Sequence, residues 1–346
     1  MWQWEAILAK MHQNCMRNYF NRGLSLKKIL VTGSTGFLGK AIIQKLYELE
    51  EYSIRASTRV KYNNLHDSIE ISYIDNVSAS TDWSAALKDV DVIIHTVARV
   101  HVMNETSDDP LIEFRDVNTY GTLNLATQAS IAGVKRFIYL SSIKVNGEGT
   151  TLHSVFSEAD IPAPSDPYGV SKHEAEVSLI KLSQNITMDV VIIRPPLIYG
   201  PGVKANFLSM MRLINKRIPL PLGLINNSRS LVAIENVVDL IITCIEHPAA
   251  SNQVFLVSDG DDMSTTDLCK KMASALGVSV ILLPIPQFII EVSAALIGKK
   301  SISDRLCGSL RVDISKAKNM LGWTPPMGVD EALLKTAISY KKSLHK

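Results

Sequence analysis

The fold class this 346-residue sequence predicts is α/β: a doubly wound parallel sheet with a smaller, mixed α/β C-terminal domain. Three observations predict it. Short β-branched runs alternate with helix-patterned stretches from Lys28 to Arg194, the pattern of a parallel sheet with helices on both faces. Gly33, Gly36 and Gly39 stand between the first such run and the first helical stretch. After Arg194 the pattern turns mixed and proline-rich, as a second domain would be. The length suffices for one large or two modest domains, and 46% hydrophobic with 20% charged residues is ordinary for a globular protein.

Residues 1–27 stand apart as an extension. Trp4, Ile7, Leu8, Met11, Cys15 and Tyr19 recur at helical spacing, with Lys10, Arg17 and Arg22 among them. That is the pattern of a basic amphipathic helix, so membrane-surface contact through 1–26 is one reading. The expected one is a loosely packed or disordered extension, with Met11 and Met16 as alternative starts.

From Lys28 the elements follow in order. "KILVT" precedes a helix over 37–49; "SIRAST", "IEISYI" and "VDVIIHT" come next; then a helix from Pro110 to Ala132, "RFIYLS", a helix from Pro167 to Ser183, and "DVVIIRP". Asp109-Pro110 is a helix start, a capping carboxylate followed by a proline where no N–H is needed. "QVFLVSD" (253–259) is expected to return a strand to the main sheet. The expected organisation is therefore a dinucleotide-binding domain over 28–193, rejoined by 232–257, and a mainly substrate-binding domain over 194–346. "ILLPIPQFIIEVSAALIG" (281–298) is interrupted by Pro284, Pro286, Gln287 and Glu291, so it reads as a buried helix of the second domain rather than a membrane segment.

Charge excludes some partners. Lys10, Arg17, Arg22, Lys27 and Lys28 oppose Glu5 alone, which leaves the rest of a +2 chain net negative. No basic stripe covers the body, so no nucleic-acid partner is expected. Cys15, Cys244, Cys269 and Cys307 are scattered without a C-x-x-C pair and no signal-peptide pattern is recognisable, so a reduced, cytoplasmic protein is expected. The eight histidines lack metal-site spacing, and no metal is expected. His95, ending an apolar run, reads as a packed or cofactor-lining imidazole.

The three glycines directly follow the first strand and open the first helix. The first permits the tight turn, the second lets the backbone approach a pyrophosphate, and the third packs helix on strand. The helix N-terminus then presents free N–H groups to the phosphates. This is the dinucleotide cradle of a Rossmann sheet. "PYGVSK" sets Tyr168 and Lys172 at i and i+4, on one helical face. An ammonium beside a phenol favours phenolate, which would lower a pKa normally near 10. Ser141-Ser142 ends a predicted strand, where a hydroxyl can meet a substrate oxygen, and Asn118 lies in the helix after the fourth strand.

Order and spacing together resemble the extended short-chain dehydrogenase/reductases, in particular the nucleotide-sugar epimerase/dehydratase family. The resemblance runs from about Lys28 to the C-terminus and rests on "GSTGFLG", "HTVA", "SSIKVNG", "YGVSK", "RPPLIYGPG", "NSRSLVAIENVVDLI" and "DISKAKNMLGWTPP". It implies Tyr168 as the acid/base, Lys172 as the group that holds the nicotinamide ribose, Ser142 as the orienting hydroxyl and Asn118 as support for the lysine. It implies a cofactor site from Gly33, Thr35, Gly36, Phe37, Leu38, Gly39, Asp75, Asn76, Val97, Ala98 and Pro195. Asn206, Arg229 and Arg305 match positions that touch the diphosphate of a UDP-sugar, for which arginine's fork suits. A homodimer is expected on the same ground.

The sequence departs from the family pattern at Ser230 and Leu197, where an acid and an asparagine are common. After Ser142 come Ile143 and Lys144 in place of the acidic pair that 4,6-dehydratases use, so dehydration is not expected. Thr58 stands where NAD-preferring enzymes carry an acid, and Arg59 follows it. That pair favours NADP(H), with NAD(H) as the other candidate. The expected reaction is reduction of a UDP-4-keto-6-deoxy-N-acetylhexosamine at C4 for surface-polysaccharide (O-antigen) synthesis. The alternatives are 4-epimerisation of UDP-glucose or UDP-N-acetylglucosamine with bound NAD and, more distantly, a non-catalytic cofactor-sensing scaffold.

Overall fold

The β-branched runs form one seven-stranded, all-parallel sheet in the computed structural model, which describes residues 26–60, 66–100, 109–296, 298 and 300–344. The amphipathic pattern in 1–25 lies outside the described residues. The strands are β1 (Lys27–Thr32), β2 (Tyr52–Thr58), β3 (Glu70–Tyr73), β4 (Val92–His95), β5 (Arg136–Leu140) and β6 (Asp189–Arg194), with β9 (Gln253–Leu256) at the far edge. Between β6 and β9 in sequence, β7 (Leu197–Tyr199) and β8 (Leu231–Ala233) pair with each other in a separate two-stranded sheet. The large sheet runs β3-β2-β1-β4-β5-β6-β9. The order reverses between β1 and β4, and ligands of such sheets bind in the crevice beyond the strand ends at that point.

The helices are α1 (Phe37–Leu49), α2 (Ser84–Leu87), α3 (Pro110–Arg115), α4 (Thr122–Ile131), α5 (Pro167–Ser183), α6 (Ala205–Asn215), α7 (Ile234–Glu246), α8 (Thr265–Leu276), α9 (Gln287–Leu296), α10 (Lys300–Cys307), α11 (Ser315–Leu321) and α12 (Val329–Leu344). Alternation along each strand sorts the core into two layers. Ile29 and Val31 pack on the face covered by α1 and α7, through Ile42, Leu46, Val237 and Ile241. Leu30, between them, packs on the opposite face with Leu125 of α4 and Leu179 of α5. A third cluster joins α6, α8 and α12 through Met211, Met272 and Leu333.

Two expectations change. The helix read as continuous from Pro110 to Ala132 carries a π-helical turn over Asp116–Gly121. Hydrophobic periodicity does not register one extra residue in a turn, and such turns cluster at functional sites. The segment 281–298 is not a buried helix. Leu282 runs beside Leu220 in an isolated bridge, and α9 has no buried residue. Phe288, Ile289, Val292 and Leu296 are exposed, and only Ile290 packs on the third cluster. Among the described residues no helix is long and apolar enough to cross a membrane.

Candidate active site

The cradle is built as the glycine spacing requires. Gly33 has φ +73°, and a Cβ there would lie 2.6 Å from Thr96 Oγ1. A Cβ on Gly39 would lie 2.2 Å from the Gly33 carbonyl oxygen, so α1 packs against the loop at glycine distance. The opening of α1 at Gly36 has no side-chain cap and no acid in its first turn. By contrast α3 and α5 are capped by Asp109 and Asp166, each accepting a backbone N–H. The α1 N–H groups are thus left for an anion. Alongside, Ser34 donates to the Ser57 carbonyl at 2.7 Å, and the buried Ser57 hydroxyl has no partner. A loop that admits only glycine at positions 33 and 39, with an orphaned hydroxyl beside it, fits a bound dinucleotide.

The other residues read as cofactor contacts lie in the glycine loop or just past the ends of strands in the same sheet. Thr35 and Gly36 are exposed at the loop tip and Phe37 is half-buried. Leu38 turns its side chain into the core at 6% exposure, so only its backbone faces the crevice. Val97 and Ala98 follow β4 half-buried, while Asp75 and Asn76 are exposed just past β3. Arg59 is exposed beyond β2. The Thr58 hydroxyl is engaged by the carbonyl and N–H of Val60.

Behind the crevice, His95 is fully buried. Its Nδ1 lies 2.7 Å from Thr32 Oγ1 and its Nε2 lies 3.0 Å from Thr122 Oγ1. Burial, with the charge of Lys172 second, pushes its pKa down to about 3. It is a neutral, packed imidazole.

The chemistry-bearing side chains come from the ends of β5 and the start of α5. Ser142 caps a 3-10 turn over Ile143–Val145 and hydrogen-bonds the Tyr168 hydroxyl. Lys172 is 1% exposed; its Nζ donates to the Leu140 carbonyl at 2.7 Å and sits 4.4 Å from the centre of the Tyr139 ring. Burial lowers the Lys172 pKa to about 7, opposed by the carboxylate of Glu176. Tyr168 differs from the sequence expectation: burial first, then Asp166, push its pKa up to about 12, against the bond from Ser142. The lysine charge, directed at a carbonyl and a ring, does not offset that burial here.

Asn118, in the π turn, is fully buried. Its Oδ1 accepts from Arg99 N at 2.8 Å, and its Nδ2 donates to Arg99 O and to Ser171 Oγ. Its partners are thus Arg99 and the α5 residue next to Lys172, rather than the lysine itself. Pro195 is buried, and its carbonyl accepts from Ile143 N at 3.0 Å.

On the second domain, Asn206 is exposed at the start of α6, directly after Ala205 with its left-handed φ of 53°. Arg229 is half-buried and donates to Gly308 O at 2.8 Å. Burial and then the like charge of Arg305 lower its pKa, so two guanidinium groups share one field and suit a dianion. Ser230, where the family often has an acid, donates to Asp262 and accepts from Val312 N at 2.8 Å. Asp262 in turn binds Arg311. After Ser142, Ile143 is buried and Lys144 pairs with Asp166 and Glu148; no acid stands where a dehydratase needs one.

A Rossmann sheet whose crevice joins a glycine cradle to a Ser, Tyr-x-x-x-Lys set defines an extended short-chain dehydrogenase/reductase. The model of the NAD dependent epimerase/dehydratase family matches residues 29–258. The chain belongs to that family and is an enzyme of it. It is 49% identical over 315 residues to a UDP-glucose 4-epimerase of Vibrio cholerae, covering 91% of this chain and 95% of that one. Among solved structures it is similar to a UDP-glucuronic acid 4-epimerase from Bacillus cereus in complex with NAD, with TM-score 0.74, 21% identity and 91% and 96% coverage. It is also similar to a UDP-glucose 4-epimerase from Thermotoga maritima with UDP-glucose, with TM-score 0.72, 23% identity and 92% and 99% coverage. The relative at 49% identity is a 4-epimerase, whereas the sequence alone favours 4-ketoreduction.

Proposed function

We propose that this protein is a UDP-hexose 4-epimerase, acting on UDP-glucose or its N-acetylated counterpart, with NAD as its resident cofactor. The observation that supports it is the Ser142–Tyr168–Lys172 set beyond the end of β5, in the parallel sheet whose β1 ends in the glycine cradle, in a chain 49% identical to a UDP-glucose 4-epimerase. The cradle residues Gly33 to Gly39 would hold the pyrophosphate and Lys172 the nicotinamide ribose. The chemistry NAD would supply there is reversible hydride acceptance at C4 of the sugar.

The protein's own groups do the rest. Tyr168 would take the proton from O4 as C4 is oxidised and give it back to O4 as the 4-keto sugar is reduced on its opposite face. A phenol raised to about 12 is a poor base, and the contribution that lowers it is the bond from Ser142, which would have to stabilise the phenolate. Ser142 aligns O4, and Arg229, Arg305 and Asn206 grip the diphosphate while the hexose turns over. The exposed Arg59 and the missing acid at Thr58 leave a 2′-phosphate unrepelled, so NADP is accepted alongside NAD.

The test is to supply UDP-glucose and UDP-N-acetylglucosamine without added reductant and follow products by NMR. Formation of the galacto epimers is expected. No reaction until a 4-keto sugar and NADPH are supplied would overturn the epimerase and install the reductase.

A further inference from the structure

Behind the reacting face lies a buried ion pair. Glu176 follows Lys172 by one turn and Tyr168 by two, so the three share one side of α5. Glu176 is 1% exposed and Arg194 is 5% exposed. Arg194 grips the carboxylate with two nitrogens, Nη2 to Oε2 at 2.5 Å and Nε to Oε1 at 3.0 Å. Ser141 Oγ donates to the same Oε1. Arg194 Nη1 donates to Asn146 Oδ1 at 2.9 Å.

Each partner adjoins a part of the site. Ser141 precedes Ser142, and Asn146 closes the turn that Ser142 caps. Arg194 precedes Pro195, whose carbonyl takes Ile143 N. One carboxylate thus ties the helix bearing Tyr168 and Lys172 to both strand ends that frame Ser142. A buried ion pair is a poor device for stability, because desolvation offsets its attraction and an apolar pair does as well. What an apolar pair lacks is directional geometry and a negative charge beside Lys172.

We propose that Glu176 is a positioning residue of the reaction: with Arg194 and Ser141 it sets the Tyr168–Lys172 face against Ser142 and keeps Lys172 charged. This rests on the proton-transfer role given to Tyr168 above. The charged and titratable groups facing Lys172 are Glu176 on its own helix and His95 on β4, with Tyr139 of β5 supplying its ring.

Two variants separate shape from charge. Glu176→Gln keeps the shape and removes the charge; Ser141→Ala keeps the charge and cuts one tether. In Glu176→Gln, kcat is expected to fall about 10²-fold, as displacement of a reacting group does, with sugar KM within about twofold. The Lys172 side-chain nitrogen, followed by NMR without sugar, should titrate about one pH unit lower. Ser141→Ala should lose about tenfold in kcat with that titration unmoved, and it decides the matter if Glu176→Gln does not fold. Wild-type kcat in Ser141→Ala overturns the proposal, as does an unmoved Lys172 titration in a folded Glu176→Gln. A wild-type protein inert toward UDP-hexoses would instead overturn the reaction proposed above, and the NMR titration would still test Glu176.

Discussion

The ammonium of Lys172 donates to the carbonyl of Leu140 at 2.7 Å, so α5 delivers its charge to the end of the strand that continues into Ser141 and Ser142. Because this lysine is 1% exposed, its charge is carried at a desolvation cost that lowers its pKa to about 7. A group buried at such a cost is retained for what it does to its neighbours. Lys172→Met and Tyr168→Phe should therefore fold, while turnover falls by about 10²–10⁴-fold, the usual effect of losing a positioned acid/base or its control. Circular dichroism and initial rates check both halves. Near-wild-type turnover in Tyr168→Phe would remove the tyrosine from the mechanism.

Gly39→Ala should damage binding and stability together. Its Cβ would meet the Gly33 carbonyl at 2.2 Å, which is backbone that cannot swing aside. Either α1 moves off the strand or the loop opens, at about 1–3 kcal/mol or more. Thermal denaturation and NAD titration should both register the change. A variant with wild-type melting temperature and NAD affinity would mean that α1 does not need this close approach.

Much of this was readable in the sequence because it rests on local rules. Short β-branched runs between helix-patterned stretches identified the strands of the large sheet, and the helix expected from Pro167 to Ser183 is where the structure places α5. The glycine loop was legible because only glycine fits the contact at Gly39. The less legible parts depend on residues far apart in sequence. Asn118 finds Ser171 across 53 positions, and Arg194 finds Asn146 across 48. No local pattern reports such pairs, although Glu176 at i+4 from Lys172 was a signal available on the helix face. The exposed apolar face of α9 escaped for another reason: composition gives apolarity, and burial depends on what the rest of the chain places opposite.

Arg59 provides a direct test of cofactor choice. With no carboxylate at the end of β2, nothing there repels a 2′-phosphate, and an exposed guanidinium can pair with one. NADP should bind within about tenfold of NAD, a spread of about 1.4 kcal/mol. Arg59→Ala should weaken NADP while leaving NAD unchanged. Equilibrium titration with both dinucleotides decides it; a strong NAD preference unaffected by the substitution would leave Arg59 an ordinary surface residue.

His95 makes the fold acid-sensitive, and the sign follows from its burial. In the native protein the imidazole sits between Thr32 and Thr122 with its pKa depressed from 6.5 to about 3, first by burial and then by Lys172. In the unfolded chain it takes a proton once the pH falls below about 6.5. Between those two values the unfolded state binds more protons than the native state, so lowering the pH favours unfolding. Its full contribution is present above pH 6.5 and is lost as the pH falls towards 3. One proton gives a slope of at most about 1.4 kcal/mol per pH unit. Other carboxylates titrate over part of this range, so the measurement is the difference between wild type and His95→Asn, from denaturant unfolding at intervals from pH 8 down. The variant should be less stable at pH 8, because the threonine hydroxyls lose a buried partner, by about 1–3 kcal/mol. It should also show a shallower loss of stability below pH 6.5, so that the two curves converge in acid. Parallel curves would mean that His95 carries its proton in the native state, and would contradict the neutral imidazole.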